Sequence, residues 1–162
     1  MAVDILILRD PRESAAKCSL TPLRGLARIT FVEFHGRRRL PAGERILLHP
    51  AGEPLGPLDR GRDLLLIDCS WRRVPSLLAS VDGVLHPRRL PPLVTAYPRK
   101  SKTFPDPALG LASVEALYAA LCLLGEPRPE LLDHYRWRAA FLAANPALPA
   151  AGLAADRPIP YP

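Results

Sequence analysis

The chain has 162 residues, 48% of them hydrophobic and 23% charged. That length suits one domain with a real core and no need of disulfide or metal staples, and that composition excludes a wholly disordered chain. No run of about 18 apolar residues offers a membrane span, and the opening Met1-Ala2-Val3-Asp4 lacks the basic start of a signal peptide.

Val3 to Leu8 is a short apolar run that predicts a buried strand. A short helix is expected around "PLRGLA", and Arg28 to Phe34 alternates as a second strand. "HGRRRLPAGE" reads as a turn, Arg45 to Pro50 as a third strand, and "AGEPLGPLDRGR" as loop. Asp63 to Trp71 is the clearest strand, and its continuous apolar pattern suits a sheet covered on both faces. Ser76 to Ala79 predicts a helix, Leu93 to Ala96 a short strand, and "RKSKTFPDP" a basic loop. A long helix is expected from Leu111 to Leu124, with Ser113 as its cap and Glu115 in its first turn. A second, amphipathic helix is expected from Pro129 to Asn145, with Asp133, Arg136 and Arg138 on its polar side and Trp137 in packing. The order of elements predicts an α/β fold with a largely parallel sheet covered by helices, over residues 1–148, followed by an Ala/Pro-rich tail at 149–162. Ligands of such sheets sit beyond the carboxyl ends of the strands, here the loops after Leu8, Ile67 and Ala96.

The 22 Lys and Arg against 16 Asp and Glu give a net charge of +6. Residues 1–104 carry 18 cations against 10 anions, whereas residues 105–162 carry 4 against 6, so the basic excess lies in the first two-thirds. Nineteen of the cations are arginines, which suit phosphate contacts and stacking on bases. An Arg-for-Lys compositional bias accounts for the count equally well. Cys18, Cys69 and Cys122 form no CxxC pair, and His35, His49, His86 and His134 stand singly, so no metal site is expected. Reduced cysteines predict a cytoplasmic protein.

Glycine-based phosphate cradles, a GxSxG elbow and an HExxH pair are all missing from the sequence. Asp68 stands out because it ends the apolar run Leu64 to Ile67. A carboxylate there caps a backbone, pairs with an Arg, or is a tuned acid/base group. Trp71, three residues on, is a core or rim aromatic or a wall for a planar ligand. Cys69 could act as a nucleophile, but packing is the commoner role of a small residue at a strand end.

Five blocks occur in order: "KCS" at Lys17 to Ser19, "LLLIDCSW" at Leu64 to Trp71, "LPPLVTAYP" at Leu90 to Pro98, "LASVEALYAAL" at Leu111 to Leu121, and "LLDHYRWRAAFLAANPAL" at Leu131 to Leu148. Together they resemble the Tsr3 family of aminocarboxypropyltransferases, which modify small-subunit ribosomal RNA, with DTW-domain tRNA enzymes as relations. The resemblance implies a SPOUT-like fold with a trefoil knot on its carboxyl-terminal side. It also implies S-adenosylmethionine as cofactor, transfer of its 3-amino-3-carboxypropyl group to N3 of a uridine-type base, and methylthioadenosine as by-product. Asp68 and Trp71 match the acidic residue and tryptophan beside the transferred group; Ser19, Ile67, Leu90, Leu93, Leu109 and Ser113 match cofactor contacts. The family's glycine after the N-terminal Ser/Thr is Leu20 here, and Tyr97 replaces an Asn. RNA is expected on Arg12, Arg72, Arg73, Arg88, Arg89, Arg99, Lys100 and Lys102, three clusters of which flank the matched blocks. The expected protein is a monomer without membrane or metal partners, acting on rRNA or tRNA. A SPOUT methyltransferase and a non-catalytic RNA-binding protein of the same fold are the alternatives.

Overall fold

The computed structural model describes residues 2–16, 18–98 and 110–148. Leu109, Arg99, Lys100, Lys102 and the tail at 149–162 lie outside them. Five strands form one sheet: β1 Ile5–Arg9, β2 Ile29–Glu33, β3 Leu40–Pro54, β4 Asp63–Asp68 and β5 Val81–Arg89, in the order β2-β1-β4-β3-β5. β1 pairs in parallel with β2 and β4, and β3 in parallel with β4. Every residue of β1 is buried. Its apolar run is continuous because both faces of a central parallel strand are covered.

The chain divides into two compact units. One comprises Met1–Glu53 with Gly61–Arg89, the other Pro54–Arg60 with Leu90–Pro162. The first holds the sheet and a short helix, α1 Val74–Leu78. Leu6, Leu8, Ala42, Leu47, Leu65 and Leu77 form a core cluster there, with Val32, Phe34, Ile67 and Cys69 packed against it. Gly83, at φ +149°, lies against the backbone of Gly43, and Gly52 against that of Pro87 and Arg88. A Cβ at Gly52 or Gly83 would collide with main chain, so the approach of β3 to β5 requires glycine at both.

The second unit holds α2 Ser113–Leu123 and α3 Arg138–Ala144. Val114, Glu115, Leu117 to Cys122 and Phe141 are buried, and a helix apolar on nearly every side is one that is enclosed.

Five expectations need correction. The turn "HGRRRLPAGE" is half strand, since β3 begins at Leu40, and the loop "AGEPLGPLDRGR" opens inside the same strand, which ends at Pro54. The strand expected at Leu93 to Ala96 is irregular, and the strand of that region is β5. Ser113 is the first helical residue and caps nothing; Ala112 is the N-cap, and its N–H is bonded by Glu115 Oε1 at 2.8 Å. The helix expected over Pro129 to Asn145 is broken into a 3-10 turn at Pro129–Leu132 and α3. Across the break Tyr135 and Trp137 meet edge to face, with ring centroids 5.7 Å apart.

Candidate functional site

Parallel pairing places the carboxyl ends of β1 and β4 side by side, with Arg9 in register with Asp68. Both are buried. Arg9 Nε lies 3.8 Å from Asp68 Oδ2, and the Cys18 thiol donates to the same oxygen at 3.0 Å. No described residue donates to Oδ1. Arg9 Nη2 is buried with no hydrogen-bond partner among the described residues. Asp10, next in the chain, is fully buried; its carboxylate pairs with the Arg73 guanidinium, and its N–H donates to Asp68 O at 2.9 Å. Two arginine–aspartate pairs, one buried and one with a half-buried arginine, thus share one end of the sheet. Desolvation makes such pairs poor sources of stability but good anchors of geometry.

This concentration of carboxylates acts on its neighbours. Burial, then the charges of Asp68 and Asp10, raise the Glu13 carboxyl above its usual range. Burial and the bond to Asp68 push the Cys18 thiol up. The Cys69 thiol is pushed up to about 12, first by burial and then by Asp10, Glu13 and Asp68. A nucleophilic cysteine needs a lowered value, so Cys69 is a packing residue. Beyond Ser70 the chain makes a 3-10 turn, Trp71–Arg73, which leaves the Trp71 indole 43% exposed. His49 stands edge-to-face with it, ring centroids 6.2 Å apart. Ser19 and Ile67 are both half-buried.

In the second unit, Leu90 to Pro98 has no regular structure, and side chains satisfy its backbone. Glu115, fully buried, accepts from Thr95 Oγ1 at 2.6 Å, Ala96 N at 2.9 Å and Ala112 N at 2.8 Å. Asn145 Oδ1 accepts from Val94 N at 2.7 Å, and its Nδ2 donates to Val94 O and Phe141 O. Leu90, Leu93 and Ser113 are half-buried. Tyr97 meets Trp137 edge-on at 5.2 Å, so that tryptophan packs as expected.

Of the arginines expected to meet RNA, Arg12 and Arg72 are exposed. Arg73 is committed to Asp10 and lies over Phe34. Arg88 and Arg89 are half-buried at the end of β5 and donate to Pro87 O and Gly52 O. Sequence reasoning overlooked Arg9, Asp10, Glu13, His49 and Asn145. Arg9 carried a signal, a charge closing a wholly apolar strand. Asp10 and Glu13 sat in an ordinary polar loop and carried none.

An acidic residue at the carboxyl end of a central parallel strand, with an exposed aromatic one turn later, defines the class of α/β protein that takes its ligand at the strand ends. Among the described residues no group of three His, Cys, Asp or Glu could hold a metal ion, and no helix is long and apolar enough to cross a membrane. Comparison with known proteins narrows the class. Residues 46–151 match the family model "Ribosome biogenesis protein, C-terminal". The 16S rRNA aminocarboxypropyltransferase of Vulcanisaeta distributa is 36% identical over 115 residues, 67% of this chain and 60% of that protein. The protein of that name from Halobacterium salinarum is 36% identical over 126 residues, 75% of this chain and 72% of its own length. The solved structure of the SAM-dependent rRNA:acp-transferase Tsr3 from Vulcanisaeta distributa matches with a TM-score of 0.70 and 32% identity, covering 91% of this chain and 80% of the other. The chain belongs to the Tsr3 family.

Proposed function

We propose that this protein transfers the 3-amino-3-carboxypropyl group of S-adenosylmethionine to N3 of a uridine-type base in small-subunit ribosomal RNA, as a step in ribosome biogenesis. The observation that carries the reading is the strand end where Asp68, whose Oδ1 accepts from no described residue, precedes an exposed Trp71, in a chain whose family members are named for this transfer. These residues fit the cofactor. A carboxylate suits a neighbouring cationic group, and an exposed indole offers apolar surface and a π-face to a sulfonium-bearing chain.

The sulfonium supplies an activated leaving group, so the protein's task is mainly positioning. N3 of the base gives up its proton and attacks the methylene carbon next to sulfur. The N–C bond forms as the C–S bond breaks, and methylthioadenosine leaves with the bonding pair as a neutral thioether. Asp68 Oδ1 receives the N3 proton. Trp71 holds the chain so that this carbon, rather than the methyl, meets the base. The cofactor contacts in this reading are Ser19, Ile67, Leu90, Leu93, Leu109 and Ser113. Phosphates are met by Arg12, Arg72, Arg88 and Arg89, together with Arg99, Lys100 and Lys102; Arg73 serves Asp10 as well. The reading includes the family's SPOUT-like trefoil knot, a catalytic region over residues 1–148, and a monomer that acts in the cytoplasm without metal.

The test is incubation with carboxyl-labelled S-adenosylmethionine and small-subunit rRNA. Label in the RNA and release of methylthioadenosine are expected. Unlabelled RNA with S-adenosylhomocysteine would mean methyl transfer, and failure to bind the cofactor in calorimetry would mean a non-catalytic RNA-binding protein.

A further inference from the structure

We propose that His49 donates a hydrogen bond from Nε2 to a carbonyl oxygen of the acceptor base, beside Trp71. The proposal rests on the reaction above and assigns it a further residue. β3 pairs with β4 through Arg45–Leu47 against Asp63–Leu65, so His49 stands two residues further toward the strand ends that carry Asp68 and Trp71. Its ring meets Trp71 edge-to-face at an interplanar angle of 89°. His49 Nδ1 accepts the N–H of Ala51 at 3.1 Å. With Nδ1 used as an acceptor, the ring hydrogen sits on Nε2. No described residue accepts it. A half-buried ring donor with no acceptor among the described residues, against an indole that is 43% exposed, is placed to meet a ligand rather than to finish the fold.

The chemistry of the base supplies that ligand. N3 of a uridine-type base lies between two carbonyl groups, and when N3 loses its proton the negative charge spreads onto their oxygens. A fixed donor on one of them stabilises the charge as it develops, which is the most effective use of a hydrogen bond in an active site. The balance is closed: the N3 proton passes to Asp68 Oδ1, the N3 pair forms the N–C bond, the C–S pair goes to sulfur, and His49 keeps its hydrogen throughout.

The competing role for His49 is to prop Trp71. His49→Phe keeps a ring against the indole but has no donor, whereas His49→Gln returns an amide N–H near the place of Nε2. The experiment measures cofactor affinity by calorimetry and kcat for transfer to rRNA, per folded protein, for wild type and both variants. Cofactor affinity within twofold of wild type is expected throughout, with kcat down about a hundredfold in His49→Phe and recovered about tenfold in His49→Gln. A His49→Phe enzyme with wild-type kcat overturns the proposal, as does a proportional fall of cofactor affinity and kcat in both variants, which would make His49 a prop alone. A wild-type protein that binds cofactor yet transfers no carboxypropyl group overturns the underlying reaction instead, and the proposal with it.

Discussion

The carboxyl ends of β1 and β4 and the irregular segment Leu90 to Pro98 both bury polar groups, and they do so in opposite ways. At the strand ends, charge faces charge: Arg9 with Asp68, Asp10 with Arg73, and a thiol on the remaining lone pairs of Asp68 Oδ2. Among the described residues, Asp68 Oδ1 receives no donor and Arg9 Nη2 is buried without a partner. In the segment, neutral backbone groups are met by Glu115 and Asn145, and Glu115 alone takes three donors. A carboxylate that has spent its lone pairs on architecture has little left for chemistry. The difference separates two buried acids that the sequence presents alike.

The largest expected effect is at Cys69. With its thiol pushed up from 9.0 to about 12, alkylation near pH 8 is about a thousandfold slower than for a free thiol, because only the thiolate reacts. The rate climbs about tenfold per pH unit toward pH 12, and Asp68→Asn speeds it by removing one of the repelling charges. Alkylation of Cys69 at the ordinary rate would show that the strand end does not hold its negative charge together.

Asp68→Asn is expected to cut transfer on the order of a hundred- to a thousandfold, the usual worth of a proton acceptor, and also to lower the melting temperature, because it leaves the buried Arg9 guanidinium without its carboxylate. Asn145→Ala leaves the reacting groups untouched. It strands Val94 N–H and two carbonyls, costs about 3 kcal/mol, and lowers the melting temperature by roughly 6–12 °C for a chain of this size. Calorimetric melts beside single-turnover assays would break the comparison if both variants lost stability alone.

Trp71→Ala should weaken cofactor binding about tenfold, or roughly 1.4 kcal/mol, with a smaller change in melting than a core tryptophan would give, because nearly half of Trp71 is exposed. Isothermal titration of the two proteins decides it, and an equal loss of folded material would make Trp71 a core residue. The smallest effect is expected at the rim. Arg72→Ala should lower the slope of log affinity against log salt by about one unit if that arginine meets a phosphate. An unchanged slope would assign Arg72 to the Arg-rich composition of the chain.

The strands were legible because burial on both faces writes an unbroken apolar run, as in Ile5 to Leu8 and Leu64 to Ile67. β5 was not, since Asp82, Gly83, His86 and Pro87 interrupt any alternation. Leu93 to Ala96 misled for the converse reason: its composition suits a strand, but its hydrogen bonds go to side chains 19 to 51 residues away. Asp68 and Trp71 were legible as oddities of their surroundings. Their partners were not, because Cys18 is 50 residues from Asp68 and Arg73 is 63 from Asp10, and only the sheet brings them together.

The clamp on Leu90 to Pro98 also bears on exchange with heavy water. Val94 exposes 58% of its surface, yet its N–H is held by Asn145, and Ala96 N–H by Glu115. Both amides lie outside any helix or strand, where rapid exchange is the usual expectation. Here they open only when buried side chains of α2 and of the residue closing α3 let go, so they should exchange with the slow helical core. The segment is irregular in shape without being loose, and its deuterium uptake would follow that of Leu117 and Leu121 rather than that of a surface loop.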